Sequence, residues 1–206
     1  MRLFLIRHGQ TEWNVARLAQ GHSDIPLDEI GEDQVRRLAN AFQGRRFSHV
    51  FTSDLKRSYK TAEPLAEVTR AELVATAELR ERSFGEWEGK PYEAIRAGVL
   101  ASARPSHEFV PPGGESMVTV RERLQAWLQR LELGHENLAI VSHGGSCSVL
   151  LALLLKAGPE ASRAFSFANT GVTELHRMDD GHFRMVNYNS TEHLQEDPRE
   201  GFGVIG

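Results

Sequence analysis

Apolar and polar positions along the chain alternate between strand-like bursts and helix-period stretches. Arg2 to Ile6 is a short aliphatic run that ends abruptly in Arg7-His8-Gly9, the pattern of a buried strand running into a tight turn. Gly31 to Gln43 places Val35, Leu38, Ala39 and Phe42 at helical spacing, with Gly44 as a stop. Val50 to Thr52 predicts a second strand. Ser53 or Asp54 then serves as cap for a helix with Leu55, Ala62, Leu65 and Ala66 on one face and Arg57 in its first turn. Leu73 to Leu79 predicts a third strand, leading into a polar loop from Arg80 to Gly89. Residues 90–116 break up at Pro105, Pro111, Pro112, Gly113 and Gly114, which predicts a short helix and then an irregular cover segment. Ser116 to Leu131 reads as an amphipathic helix and Leu138 to Val141 as a fourth strand ending in Ser142-His143-Gly144-Gly145. An apolar helix from Ser146 to Leu155 follows. Thr173 to Met178 and Phe183 to Asn187 form a closing pair around Asp179-Asp180-Gly181. Strands interleaved with helices predict an α/β sandwich with a largely parallel sheet, as one domain over residues 1–206.

Composition narrows the partners. The chain has 206 residues, 40% of them apolar, enough for a packed core, and its net charge of −4 disfavours a nucleic acid backbone as partner. Only Lys56, Lys60, Lys90 and Lys156 among the 24 basic residues are lysines, an arginine bias that suits phosphate recognition but proves nothing alone. A lone cysteine, Cys147, excludes a disulfide framework and a multi-cysteine zinc site and fits a reducing, cytoplasmic setting. The longest apolar run, Val149 to Leu155, is far short of a membrane span, and Arg7 and His8 stop the Leu3 to Ile6 run before it reaches signal-peptide length.

In open α/β sheets ligands gather beyond the carboxyl ends of the strands. Arg7 and His8 end one predicted strand, Arg57 opens the helix after the next, Glu81 lies just past the third, and His143 ends the fourth. Two arginines, two histidines and a carboxylate suit transfer of a dianionic phosphoryl group to nitrogen. In that reading His8 is the nucleophile, kept neutral by the charges of Arg7 and Arg57. The two guanidiniums grip non-bridging oxygens, Glu81 gives the leaving group its proton and later activates water, and His143 donates to the phosphoryl group.

The run Leu5-Ile6-Arg7-His8-Gly9-Gln10-Thr11-Glu12-Trp13-Asn14 resembles the opening signature of the histidine phosphatase superfamily, the phosphoglycerate mutase-like proteins. Gln20-Gly21-His22 with Asp24 and Pro26-Leu27 is similar to its next block, and Thr52-Ser53-Asp54-Leu55 with Arg57 and Thr61-Ala62 to the one after. Leu79-Arg80-Glu81 with Phe84 to Gly89, then Pro112 to Ser116, then Val141 to Gly145, continue the series in order over about three quarters of the chain. The resemblance implies His8 as phosphohistidine nucleophile, Glu81 as proton donor and acceptor, and Arg7, Arg57 and His143 as the rest of the phosphate pocket. It also implies Thr11, Asn14, Gln20 and Gly21 on the substrate side, the Gly144 N–H as a further donor, and an α/β/α sandwich around a mixed, mostly parallel sheet.

Other readings compete. Glu86 and Glu88 rival Glu81 as the acid, and Trp13 and Trp87 are either packing residues or pocket walls. His22 follows the Gln20-Gly21 pair and stands apart from the other solitary histidines, while Arg36, Arg37, Arg45 and Arg46 read as a solvated face. Cys147 has Leu153 where a cysteine phosphatase needs arginine, so a buried thiol is expected. Gly144 to Ser148 ends in serine where the serine-hydrolase elbow needs glycine, and Gly85 to Lys90 is too short for a P-loop. No Asp-x-Asp or His-Glu-x-x-His motif supplies metal ligands, so no metal and no cofactor is expected. The expected activity is a metal-independent phosphatase of small phosphorylated metabolites, with a cofactor-dependent phosphoglycerate mutase as the alternative and a non-catalytic phospho-ligand binder behind both. Only 62 positions separate Glu81 from His143, where the resemblance implies a larger insertion in the family's mutases, and this favours the phosphatase. A homodimer is left open.

Overall fold

The computed structural model describes residues 1–195. Strand β1 (Arg2–Arg7) carries Leu3 and Leu5 on one face and Phe4 and Ile6 on the other, all buried. A strand apolar on both faces needs cover on both. Leu3 and Leu5 pack against α5 (Met117–Arg130) and α6 (Gly144–Leu154) through Leu124, Trp127, Leu150 and Leu151. Phe4 and Ile6 pack against α2 (Glu29–Ala41) and α3 (Lys56–Thr69) through Leu38 and Leu65, joined by Phe42 and Phe47. The result is three layers, helix on sheet on helix.

The sheet also contains β2 (His49–Ser53), β3 (Glu72–Thr76), β4 (Leu138–Ser142), β5 (Val172–Arg177) and β6 (Phe183–Ser190), in the order β3-β2-β4-β1-β5-β6. The first four run parallel, and β5 and β6 are antiparallel. The described residues also include two short helices, α1 (Glu12–Val15) and α4 (Tyr92–Ala101), and 3-10 turns such as Ala77–Leu79 and Pro159–Ala164. Among the described residues no helix is long and apolar enough to cross a membrane.

Several predicted boundaries move for local reasons. The third strand stops at Thr76 rather than Leu79, because the Thr76 hydroxyl accepts the Glu78 N–H and starts a 3-10 turn. Neither predicted cap sits at the N-cap of α3, which is Leu55. The Ser53 hydroxyl accepts from Leu55 N–H at 3.3 Å, while Asp54 is held by Arg80 through two bonds of 2.7 and 2.6 Å. Helix α6 begins at Gly144, directly on His143. Helix α1 and the turn at Pro159–Ala164 went unpredicted, being too short to show a period. The cover is one helix and then irregular chain to Ser116, as its prolines and glycines foretell. Arg82 pins that chain, with Nε donating to the Glu115 carbonyl at 2.7 Å and Nη2 to that of Phe109 at 2.6 Å.

Register places the strand ends. Arg7 pairs with Ser142 across β1 and β4, so His8 and His143 emerge side by side, and β2, next to β4, delivers α3 and Arg57 to the same edge. The turn after His8 is clamped by the start of α2. Gln10 N–H donates to Gln34 Oε1 at 2.9 Å, Asp28 N–H donates to the Gln10 carbonyl at 3.0 Å, and Asp28 Oδ1 caps Gly31 N–H at 2.7 Å. A Cβ on Gly31 collides with the Gln10 carbonyl. Gly31→Ala is therefore expected to lower stability by about 1–3 kcal/mol, as overpacking does, and to lower turnover with it. Urea melts and assays of the variant check this, and unchanged stability would show that the turn yields freely.

Candidate active site

His8 and His143 stand with ring centroids 5.1 Å apart, both buried. The His8 backbone is held on several sides: its N–H donates to the Ser142 carbonyl at 2.9 Å, and its carbonyl accepts from Asn169 Nδ2 at 3.0 Å. Its ring Nδ1 lies 2.6 Å from the Gly9 carbonyl. A carbonyl only accepts, so Nδ1 carries the proton and Nε2 presents a lone pair. The second imidazole has the opposite arrangement. Arg57 Nε–H donates to His143 Nδ1 at 3.2 Å, so the His143 proton sits on Nε2, which is buried with no partner among the described residues. One ring thus offers an acceptor and the other a donor.

Burial holds both imidazoles neutral. His8 and His143 are pushed well below the usual histidine range, first by desolvation and then by the nearby charge of Arg57 and, less strongly, Arg7. Sequence reasoning assigned this to the arginines alone, but desolvation is the larger cause. Arg57 is lowered to about 10 by its own burial, and Arg7 is lowered for the same reason. Arg57 is fixed by loop carbonyls, Nη1 donating to Ser23 at 2.7 Å and Nη2 to Gly21 at 2.8 Å. Arg7 Nη1 donates to the Phe167 carbonyl at 2.6 Å, and Arg7 Nε is buried without a partner among the described residues. Buried unpaired donors are costly, so their presence marks a place that a ligand completes.

Glu81 completes the constellation. Its Oε2 accepts from Gly145 N–H at 2.8 Å and its Oε1 from Arg82 N–H at 2.9 Å. The His22 ring donates through Nε2 to the Glu81 carbonyl at 2.9 Å, and Glu115, bound by Arg123 at 3.2 Å, braces the same loop through the Ser83 N–H. His22 is therefore a support of the acid loop. Glu88 accepts from His22 N–H and Ser23 Oγ and does not reach the cavity, and Glu86 is exposed.

A cavity of about 410 Å³ gathers Arg7, His8, Arg57, Glu81 and His143 with Asn14, Gln20 and Gly144. Two of the expected substrate-side residues stand elsewhere. Thr11 is wholly buried and caps α1 in a reciprocal bond with Asn14, and Gly21 contributes its carbonyl to Arg57 from a backbone with φ +50°. Sequence reasoning missed Tyr92, Gly145, Ser148 and the stretch Phe165-Ser166-Phe167, all in the cavity wall. Ser148 was legible in principle, one helical turn after Gly144, while 165–167 lies in an unpatterned connection. Trp87 packs on Phe109 with centroids 5.2 Å apart, and neither it nor Trp13 lines the cavity. Cys147 is buried, its thiol raised by desolvation.

The fold and site define a phosphoryl-transfer architecture: a neutral imidazole acceptor, an imidazole donor, two buried guanidiniums and an oriented carboxylate at the carboxyl edge of a parallel sheet. The pattern described as "Histidine phosphatase superfamily (branch 1)" matches residues 3–191, and the chain belongs to that superfamily. It is 32% identical to phosphoglycerate mutase-like protein 4 of Arabidopsis thaliana over 98% of this chain and 91% of that one. The structure resembles a phosphoserine phosphatase from Entamoeba histolytica solved with 3-phosphoglyceric acid, with TM-score 0.81 and 30% identity over 94% of this chain and 99% of the other. It also resembles a mycobacterial glucosyl-3-phosphoglycerate phosphatase, with TM-score 0.80 and 30% identity over 92% and 99%.

The neutral imidazoles make stability depend on pH. In the unfolded chain a histidine binds its proton near pH ~6.5, whereas His8 and His143 resist protonation when folded. Below that pH the unfolded state binds more protons, so stability falls as pH drops, by up to about 1.4 kcal/mol per pH unit for each such group. His193, lowered to about 4 by burial, acts in the same direction. Urea unfolding between about pH 7.5 and 5.5 is expected to show this decline, shallower in His143→Gln. Equal slopes in variant and wild type would show that His143 takes up its proton as readily in the folded protein as in the unfolded chain.

Proposed function

We propose that the chain is a phosphomonoester phosphatase working through a phosphohistidine on His8, with small phosphorylated metabolites as substrates and a cytoplasmic setting. The observation that carries the reading is the pairing of tautomers: the lone pair on His8 Nε2 beside the unpartnered Nε2–H of His143 and the unpartnered Nε–H of Arg7. In the first step His8 Nε2 attacks phosphorus, the ester P–O bond breaks, and the leaving oxygen takes a proton from Glu81. In the second, Glu81 as carboxylate takes a proton from water, the hydroxide attacks phosphorus, and the P–N bond breaks to restore neutral His8 and release phosphate. Arg7, Arg57 and His143 hold the non-bridging oxygens throughout, where donors fixed in advance are worth most. Asn14, Gln20 and the Gly144 N–H contact the ester side. Positive charge comes from guanidiniums, and no step calls for a metal ion.

The mutase-like relative and the two phosphatases support phosphoryl transfer, and in the phosphohistidine reading the fate of that intermediate separates the two activities. A mutase must shield the phosphohistidine until a second hydroxyl arrives. Quenching during turnover is expected to trap an acid-labile, base-stable phosphoenzyme that His8→Ala lacks. Enzyme primed with 2,3-bisphosphoglycerate is expected to release far more phosphate than it forms isomer from 3-phosphoglycerate. An acid-stable adduct overturns the nucleophile, and isomer in excess of phosphate makes the mutase the correct activity.

Glu81→Gln removes the proton that an alkyl alkoxide needs and a nitrophenolate does not. General acid catalysis is worth ~10²–10⁴-fold, so alkyl phosphates are expected to lose that much and nitrophenyl phosphate far less in its first step. Single-turnover rates of phosphoenzyme formation measure this directly. Equal losses would show that Glu81 does not protonate the leaving group, and no loss for either ester would assign it to water activation alone.

A further inference from the structure

A groove of about 650 Å³ adjoins the catalytic cavity, and Gly145 and Ser148 line both. It runs between the cover, α5 and the turn at Pro159–Ala164, with Val99, Met117, Val118 and Val149 giving it an apolar surface. Ser148 Oγ is spent on the Gly144 and Phe165 carbonyls, at 2.9 and 3.1 Å, so the shared wall offers little to a polar occupant. Arg121 also lines the groove. Its Nη2 donates to the Ala157 carbonyl at 3.1 Å, its Nη1 is buried with no partner, and it enters no ion pair among the described residues. Of the carboxylates there, Glu160 is held by Arg163 at 2.9 Å and Glu122 is exposed. Nothing in the catalytic cycle uses Arg121 or this space.

We propose that the groove is the leaving-group subsite: it takes the apolar body of an elongated phosphomonoester whose phosphoryl group sits at His8, and Arg121 reads a carboxylate at the far end. The inference rests on the phosphatase reading above and adds the class of alcohol that the enzyme prefers. A polar cavity of about 410 Å³ accommodates a phosphoryl group with a short alcohol, and the adjoining apolar space receives what extends beyond it. The unpartnered Nη1 of Arg121 then supplies a charged donor suited to a carboxylate, and an occupant that accepts from it removes the cost of leaving it unpaired.

The test compares kcat/KM for phosphonooxyoctanoate, octyl phosphate and ethyl phosphate. Wild type is expected to prefer them in that order. Arg121→Gln is expected to lower the value for phosphonooxyoctanoate by about tenfold or more while leaving the other two near wild type. Val118→Trp, at a half-exposed position that tolerates bulk without entering the core, is expected to lower both octyl esters by about tenfold and spare ethyl phosphate. Equal effects on all three esters, or none, overturn the subsite. If wild type hydrolyses no ester, the phosphatase reading fails by itself. Calorimetric binding of carboxyheptyl phosphonate then decides the groove, with weakening of about tenfold in Arg121→Gln supporting it and equal affinity overturning it.

Discussion

The hydrogen bond from Arg57 Nε to His143 Nδ1, set against the bond from His8 Nδ1 to the Gly9 carbonyl, is the constraint on which the site depends. Two buried imidazoles with centroids 5.1 Å apart cannot both be charged beside two guanidiniums, and burial already opposes protonation of either. What remains is the choice of nitrogen, and each ring has that choice made by one neighbour. The outcome is one lone pair and one N–H in the same cavity wall. Reverse either tautomer and the site loses its lone pair or its free N–H.

The fold exists around that constraint. Arg7 to Ser142 register brings the two histidines to adjacent strand ends, and the antiparallel addition of β5 on the other side of β1 lets Thr170 N–H donate to the Arg7 carbonyl at 3.0 Å. Arg57 reaches His143 because Gly21 and Ser23, from the loop after α1, hold its other nitrogens. The same loop carries His22, which supports Glu81 through a backbone carbonyl. A single segment, residues 20–23, thus orients both Arg57 and Glu81. In the proposed reading, substrate selection lies outside that shell, in the cover that Arg82 ties to the Glu81 loop and in the groove beneath it.

Much of this was legible in the sequence. The double-faced apolar run Leu3 to Ile6 and the helical spacing of Val35, Leu38 and Ala39 are local signals, and the elements they predict are present. The five central residues were legible because each follows a strand end or opens a helix. The tautomers were not, since they depend on contacts such as Arg57 to His143 across 86 positions, which no local pattern encodes. Thr11 and Gly21 were misplaced for a related reason. A small polar residue or a glycine beside a site looks the same in sequence whether it faces the ligand or serves the backbone, as these two do. Phe165 to Phe167 enter the cavity wall from a connection with no period, held by distant contacts such as the 2.6 Å bond from Arg7 to the Phe167 carbonyl.

The most direct test of the account is the protonation pattern of the two rings in the free protein. Nitrogen-15 spectra of histidine-labelled protein near neutral pH, assigned with His8→Gln and His143→Gln, distinguish protonated from bare ring nitrogens. The account predicts a neutral His8 with its proton on Nδ1 and a neutral His143 with its proton on Nε2. A doubly protonated ring at either position, or the same tautomer at both, would contradict it.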